Sequence, residues 1–315
     1  MARFVQYAAI GGPEVLEVAE GPIPVARDGE VVVEVRAVGV NPIDVKLRSG
    51  KRPGAPLTAP RVAGADAAGV VAEVGPGVEG WAVGDEVIVT DAKGSYATHA
   101  AVPASGLTFK PSGVSWAQAA GLGIPVATAY QALRSLGVGE GMTVLVHAAS
   151  GSVGQAAVQF ARAMGARVIG TASPENHDRL RQLGAIPVAY GDGLVERVRA
   201  IAPDGVDRAL DAAGTDEAIE ASLELVDDPQ HVGTIVRGAD APRWGIQAWS
   251  GGSKVPLTEE QKAWRAEGIR VAAERAAAGE FDVEIGRTLP LERAADAQRM
   301  LEDGTAPRGK LVLLP

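Results

Sequence analysis

Residues 144–154 read VLVHAASGSVG, an apolar strand that enters a turn of small residues, and an apolar helix (QAAVQFARAM) follows at once. A strand, a small-residue turn and a helix start are the parts that hold a dinucleotide pyrophosphate on free main-chain N–H groups. The usual spacing is G-x-G-x-x-G, and here Ala149, Gly151 and Gly154 stand in the three places. Gly151 lets the backbone approach a pyrophosphate, and Gly154 lets the helix pack on its strand. Ala149 can replace the first glycine if the turn there needs no positive φ. The plain alternative is a tight strand-to-helix connection in any parallel sheet.

The end of the next strand selects the dinucleotide. An acid there grips the ribose 2′-hydroxyl of NAD, yet VIGTASPENHDR offers none at Gly170, Thr171, Ala172 or Ser173. Small hydroxyl residues such as Ser173, with Arg179 and Tyr190 further on, suit a 2′-phosphate. Glu175 argues the other way, so NADPH is expected and NADH stays open. Arg179 has a plain alternative as a solvated helix residue.

These residues need a particular scaffold. Segment 30–40 reads as a strand, and 67–90 as strands parted by Gly-Pro-Gly and Gly-Asp turns, a compact barrel or sandwich pattern. Near residue 116 the texture changes: SWAQAAGLGIPVATAYQALRSLG has helical spacing with Ser115 as a cap. Strands then alternate with helices at 152–164, 174–183, 193–201 and 215–225, and HVGTIVRG closes as a fifth strand. That alternation predicts an open parallel sheet with helices on both faces. A long helix (258–279), the strand DVEIGRTLP, a short helix (291–303) and the strand GKLVLL end the pattern and rejoin the first domain.

Composition narrows the function classes. The chain has 315 residues, no Cys and a net charge of −9. Thiolate nucleophiles, disulfides and Cys-ligated metals are excluded, and nucleic acid is not expected as a partner. No apolar run reaches the ~20 residues that span a bilayer, and the first residues lack an apolar signal core; a cytoplasmic protein is expected. The four histidines show no ligand spacing, and His147 reads as structural. Neither a G-x-S-x-G elbow nor a Tyr-x-x-x-Lys pair is present.

The segments NPIDVKLRSG (41–50), GADAAGVVAEVGPGVEGWAVGDEV (64–87), ATAYQAL (127–133), HAASGSVGQAAVQFARAMGARVIGTAS (147–173) and GKLVL (309–313) together resemble the zinc-free quinone and enone reductases of the medium-chain dehydrogenase/reductase superfamily. The resemblance covers nearly the whole chain. It implies an α/β protein with a GroES-like β-barrel domain, from 1–122 and 256–315, and a Rossmann doubly wound parallel sheet at 123–255. It also implies a homodimer built by extending the Rossmann sheets, for which WGIQAW (244–249) offers an edge. The group's A-x-x-G-x-x-G form is matched by Ala148, Gly151 and Gly154. Zinc relatives carry Cys near 41 and Gly-His-Glu near 64–66; here Asn41 and Gly64-Ala65-Asp66 stand there, so no metal is expected.

The candidate cofactor-binding residues are Asn41, Thr128, Ser150, Gly151, Ser152, Val153, Ser173, Arg179, Tyr190, Ala213 and Lys310. Thr128 has the alternative of capping a helix. Hydride addition to a conjugated C=C needs orientation and a donor for the charge that develops on the carbonyl oxygen. Lys46 is the candidate catalytic donor and Asn41 helps to place the reactants. Lys46 as a surface charge and Asn41-Pro42 as a turn former are the alternatives. The expected activity is NADPH-dependent reduction of a conjugated enone or quinone, a small carbonyl or quinone substrate, without metal. The rival is an NAD(P)H-binding structural or sensory protein without turnover.

Overall fold

A computed structural model describes residues 1–52 and 56–315. Part of the 51–60 loop, which matches no motif, therefore lies outside the described residues. The chain divides into two units, Met1–Ile124 with Ile269–Pro315, and Pro125–Gly268.

The first unit opens with strands β1 (Ala2–Tyr7), β2 (Glu17–Gly21) and β3 (Glu30–Gly39) and helix α1 (Pro42–Arg48). Strands β4 (Arg61–Val62), β5 (Asp66–Val74), β6 (Glu86–Val89), β7 (His99–Pro103) and β8 (Leu107–Phe109) follow, then helix α2 (Trp116–Gly121). Val-rich alternation makes β3 a strand with one face in the core. Helix α2 starts where the sequence placed a cap: Ser115 Oγ accepts the Gln118 N–H at 3.3 Å.

The chain then enters the second unit through α3 (Ile124–Ser135). Next come β9 (Thr143–Val146), α4 (Ser152–Ala163), β10 (Arg167–Thr171), α5 (His177–Gln182), β11 (Ile186–Val188), α6 (Leu194–Ile201), β12 (Arg208–Asp211), α7 (Asp216–Leu225), β13 (Val232–Thr234), α8 (Ala241–Trp244) and β14 (Gln247–Ala248). Helix α9 (Glu259–Ala277) leads back to β15 (Ile285–Pro290), α10 (Ala294–Glu302) and β16 (Lys310–Leu314).

In the first unit, β2-β1-β4 form one sheet and β15-β16-β3-β5-β6-β8 another, with β7 also on β3. Both sheets contribute to one apolar core, including Val5, Val31, Val33, Val71, Val87 and Leu311. Strand β16 lies between β15 and β3, parallel to the former and antiparallel to the latter. In the second unit the order is β11-β10-β9-β12-β13-β14, all parallel, with the reversal beside β9. Open parallel sheets bind ligands at such a switch point, beyond the carboxyl ends of the strands. Leu145, Ile169 and Ala209 pack with Leu194, Val198 and Ile219 from α6 and α7.

The structure departs from several expectations: the helical run from 116 splits into α2 and α3, and a sixth strand, β14, follows the fifth. The segment 231–238 forms a strand only over β13, because the Thr234 hydroxyl turns back to accept the N–H groups of Val236 and Arg237. The helix expected over 174–183 starts as a 3-10 turn at Pro174–Asn176 before α5. Thr128 lies inside α3 rather than at its cap.

Candidate active site

The second unit carries the turn. Helix α4 begins with Gly151 at its cap and no side chain satisfying it. The N–H groups of Ser152, Val153 and Gly154 have no hydrogen-bond partner among the described residues. A Cβ on Gly151 would meet only the Ala148 carbonyl at 3.4 Å, so the approach to these donors is open. On Gly154 it would fall 2.3 Å from the Ala148 oxygen, so only glycine fits there. Positive φ is needed one residue earlier than Ala149: Ala148 has φ +51°. Free donors, an open approach and a helix dipole aimed outward fit a dinucleotide pyrophosphate.

Around the turn, Gln155 Nε2 donates to the Ser150 carbonyl at 2.9 Å, and its Oε1 accepts from Arg179 Nε at 2.9 Å. Arg179 is therefore buried on α4 rather than solvated. Ser173 Oγ accepts from Asn176 Nδ2 at 2.9 Å, Tyr190 is 59 % exposed beyond β11, and Glu175 is exposed beside Ser173. A hydrogen bond from Ser173 holds the Glu175 carboxyl below its ordinary range. Beyond β12, the N–H groups of Ala213 and Gly214 donate to Asp211 Oδ1 at 2.9 and 2.8 Å. Thr128 is buried on α3.

The first unit carries Lys46, Asn41 and Lys310. Asn41 caps α1, Pro42 starts it without needing an N–H donor, and the Asn41 N–H donates to Asp44 Oδ2 at 2.9 Å. At the other end Arg48 is buried, bonded to the Gly11 carbonyl, Gln298 and Glu302. Lys46 stands half-buried between these anchors, and its ammonium has no partner among the described residues. Asn41 is 1 % exposed. Its Nδ2 donates to Asp66 Oδ2 at 2.9 Å and to the Gly39 carbonyl at 3.2 Å, and its Oδ1 accepts from Lys310 Nζ. Both amide donors of Asn41 are thus spent inside the unit.

Asp66 also accepts the Ile124 N–H at 2.8 Å, and a Cβ on Gly123 would strike its carboxyl. Tyr96 donates to Asp44 Oδ2 at 3.0 Å. Burial pushes Asp44 up to about 7 and Asp66 up to about 6, and it lowers the Lys310 ammonium against the pull of both carboxylates. Asp44, three residues after Asn41, carries a capping-box signal; the pairing of Asp66 with Lys310 carries none. Among the described residues no three His, Asp or Glu side chains gather as metal ligands.

The chain matches the family described as "Alcohol dehydrogenase GroES-like domain" over residues 27–112 and that described as "Zinc-binding dehydrogenase" over 152–237. It is 32 % identical to the human quinone oxidoreductase over 331 residues, covering 100 % of this chain and 98 % of the relative. The chain belongs to the quinone oxidoreductase group of the medium-chain dehydrogenase/reductase superfamily. Its fold is accordingly a GroES-like domain with a Rossmann domain. Within this group, the Salmonella typhimurium quinone oxidoreductase is 37 % identical over 232 residues, covering 72 % of this chain and 70 % of that one. The Escherichia coli quinone oxidoreductase complexed with NADPH superposes with a TM-score of 0.84 at 27 % identity, covering 100 % of both chains.

Proposed function

We propose that the protein is an NADPH-dependent reductase of quinones or conjugated enones that works without a metal. The observation that carries the reading is the turn at 148–154, with three unpartnered N–H groups at the start of α4 and room above Gly151. The kinship with quinone oxidoreductases, one of them solved with NADPH, supports it. NADPH, when bound, supplies a hydride.

The N–H groups of Ser152, Val153 and Gly154 hold the pyrophosphate. Ser173 and Tyr190 stand at the strand ends where a 2′-phosphate is met. Exposed Glu175 opposes that phosphate and leaves NADH as a usable second cofactor. Lys46, with a free ammonium on an anchored helix, stabilises negative charge as it develops on the substrate's carbonyl oxygen. Solvent supplies the proton that completes reduction. Asn41 acts from within the first unit by fixing the start of α1.

Oxidation of NADPH and NADH followed in the presence of a panel of quinones and enones tests the reading. Turnover with NADPH preferred is expected, unchanged by chelators, and Glu175→Lys should tighten NADPH binding. Binding of NADPH without turnover of any substrate would favour a structural or sensory role. The protein is also expected to form a homodimer through β14, one of the two edge strands of the second sheet, since an open edge invites a partner strand; light scattering that gives a one-chain mass would refute this.

A further inference from the structure

Ala148 stands in a left-handed backbone conformation, which costs an alanine about 1–2 kcal/mol and needs compensation nearby. The compensation comes from β10. The Ala148 N–H donates to Thr171 Oγ1 at 3.3 Å, and the next N–H, of Ala149, donates to the Thr171 carbonyl at 2.9 Å. One residue therefore holds two successive donors of the turn.

Thr171 is held in its turn by a buried chain. Its hydroxyl lies 3.3 Å from His147 Nδ1, and His147 Nε2 lies 3.0 Å from Ser222 Oγ. Ser222 gives its single hydroxyl proton to the Ala218 carbonyl at 2.8 Å. Ser222 Oγ must then accept from His147, which places the imidazole proton on Nε2 and leaves Nδ1 bare. Bare Nδ1 takes the Thr171 proton, so the lone pairs of Thr171 Oγ1 are free to meet the Ala148 N–H. Every hydrogen in the chain has one direction. His147, Thr171 and Ser222 are all buried, where an unmade hydrogen bond costs most. Burial also keeps the imidazole neutral, pushed down to about 4 against the raising influence of Asp211, as its role of acceptor requires.

We infer that Thr171, oriented by His147 and Ser222, is a positioning residue for the cofactor turn, setting Ala148 so that the α4 donors meet the pyrophosphate. The inference rests on the proposed NADPH binding and adds a prediction of its own. The pyrophosphate is common to NADPH and NADH, so loss of the Thr171 hydroxyl must weaken both cofactors by one factor. A direct contact of Thr171 with the 2′-phosphate would weaken NADPH alone.

The experiment is fluorescence titration of the purified protein with NADPH and with NADH, for wild type, Thr171→Val, Thr171→Ser and Ser222→Ala. Thr171→Val keeps the shape and removes the hydroxyl. Its Kd should rise about tenfold for both cofactors, the size of one buried hydrogen bond, and the KM for NADPH should rise more than kcat falls. Thr171→Ser should restore both affinities. Ser222→Ala, at the far end of the chain, should show a smaller rise that is again equal for the two cofactors. It supplies the same reading if Thr171→Val does not fold. An unchanged Kd in a folded Thr171→Val protein overturns the inference while the cofactor assignment stands. So does a rise for NADPH alone, or a failure of Thr171→Ser to restore binding. Wild-type protein that binds neither cofactor overturns the proposed function itself and the inference with it.

Discussion

Lys310 donates its ammonium hydrogen to the side-chain oxygen of Asn41 across 269 positions of sequence. That ammonium is buried together with the carboxyls of Asp66 and Asp44, which both pull on it. Lys310→Met should therefore cost about 3–5 kcal/mol near neutral pH, the usual result of leaving a buried charge without its partner. Burial already raises Asp66 and Asp44, and a protonated carboxyl needs no counter-ion. The penalty should shrink as pH falls toward about 5. Urea unfolding at several pH values checks this, and a penalty that does not vary with pH would show that Lys310 acts through packing alone.

Lys46 presents the opposite case, an ammonium on α1 with nothing to hold among the described residues. If it meets developing charge on the substrate oxygen, it acts mainly in the transition state. Lys46→Met should lower kcat by ~10²–10³, as for loss of an oxyanion donor, with little change in the Kd for NADPH. A drop of about tenfold would make the role auxiliary. Full activity would return Lys46 to the solvated surface and leave main-chain donors to carry the charge.

The buried acids set one direction of pH dependence. The folded chain keeps a proton on Asp44 between its ordinary 3.8 and about 7, where the unfolded chain has released it. Raising pH through that window therefore weakens the fold, by on the order of a few kcal/mol. His147 works against this trend: between about 4 and 6.5 the unfolded chain holds a proton that the folded imidazole has lost, so raising pH strengthens the fold there. Asp44→Asn should remove the first contribution and make thermal stability climb more steeply from about pH 4 to 7 than in the wild type. Parallel profiles for the two proteins would remove Asp44 from this account.

Much of this arrangement shows in local sequence. Ser115 marks the start of α2, the Val-rich run at 30–39 marks β3, and Gly151 with Gly154 marks the turn. Each signal rests on neighbours a few residues away. The strain at Ala148 cannot be read locally, because Thr171, 23 positions on, relieves it. Arg179 looks solvated because a helix residue with a charge usually is; its partner Gln155 lies on another helix. The strand expected over 231–238 ends early because one hydroxyl, on Thr234, captures the next two N–H groups. Asn41 looks free to face a ligand until Asp66, Gly39 and Lys310 are seen to occupy its whole amide.

Strand β16 lies inside its sheet, between β15 and β3. A ribosome must therefore deliver residues 310–314 before the slot beside β3 can be filled, and Asn41 waits for its ammonium while 269 residues are added. At 5–20 residues per second that interval is on the order of tens of seconds. The second unit, Pro125–Gly268, is continuous and can close within that interval. The nascent first unit spends it with an open strand position beside β3 and with Asn41 lacking the ammonium that Lys310 brings, so this is the stage at which chaperones would have most to protect.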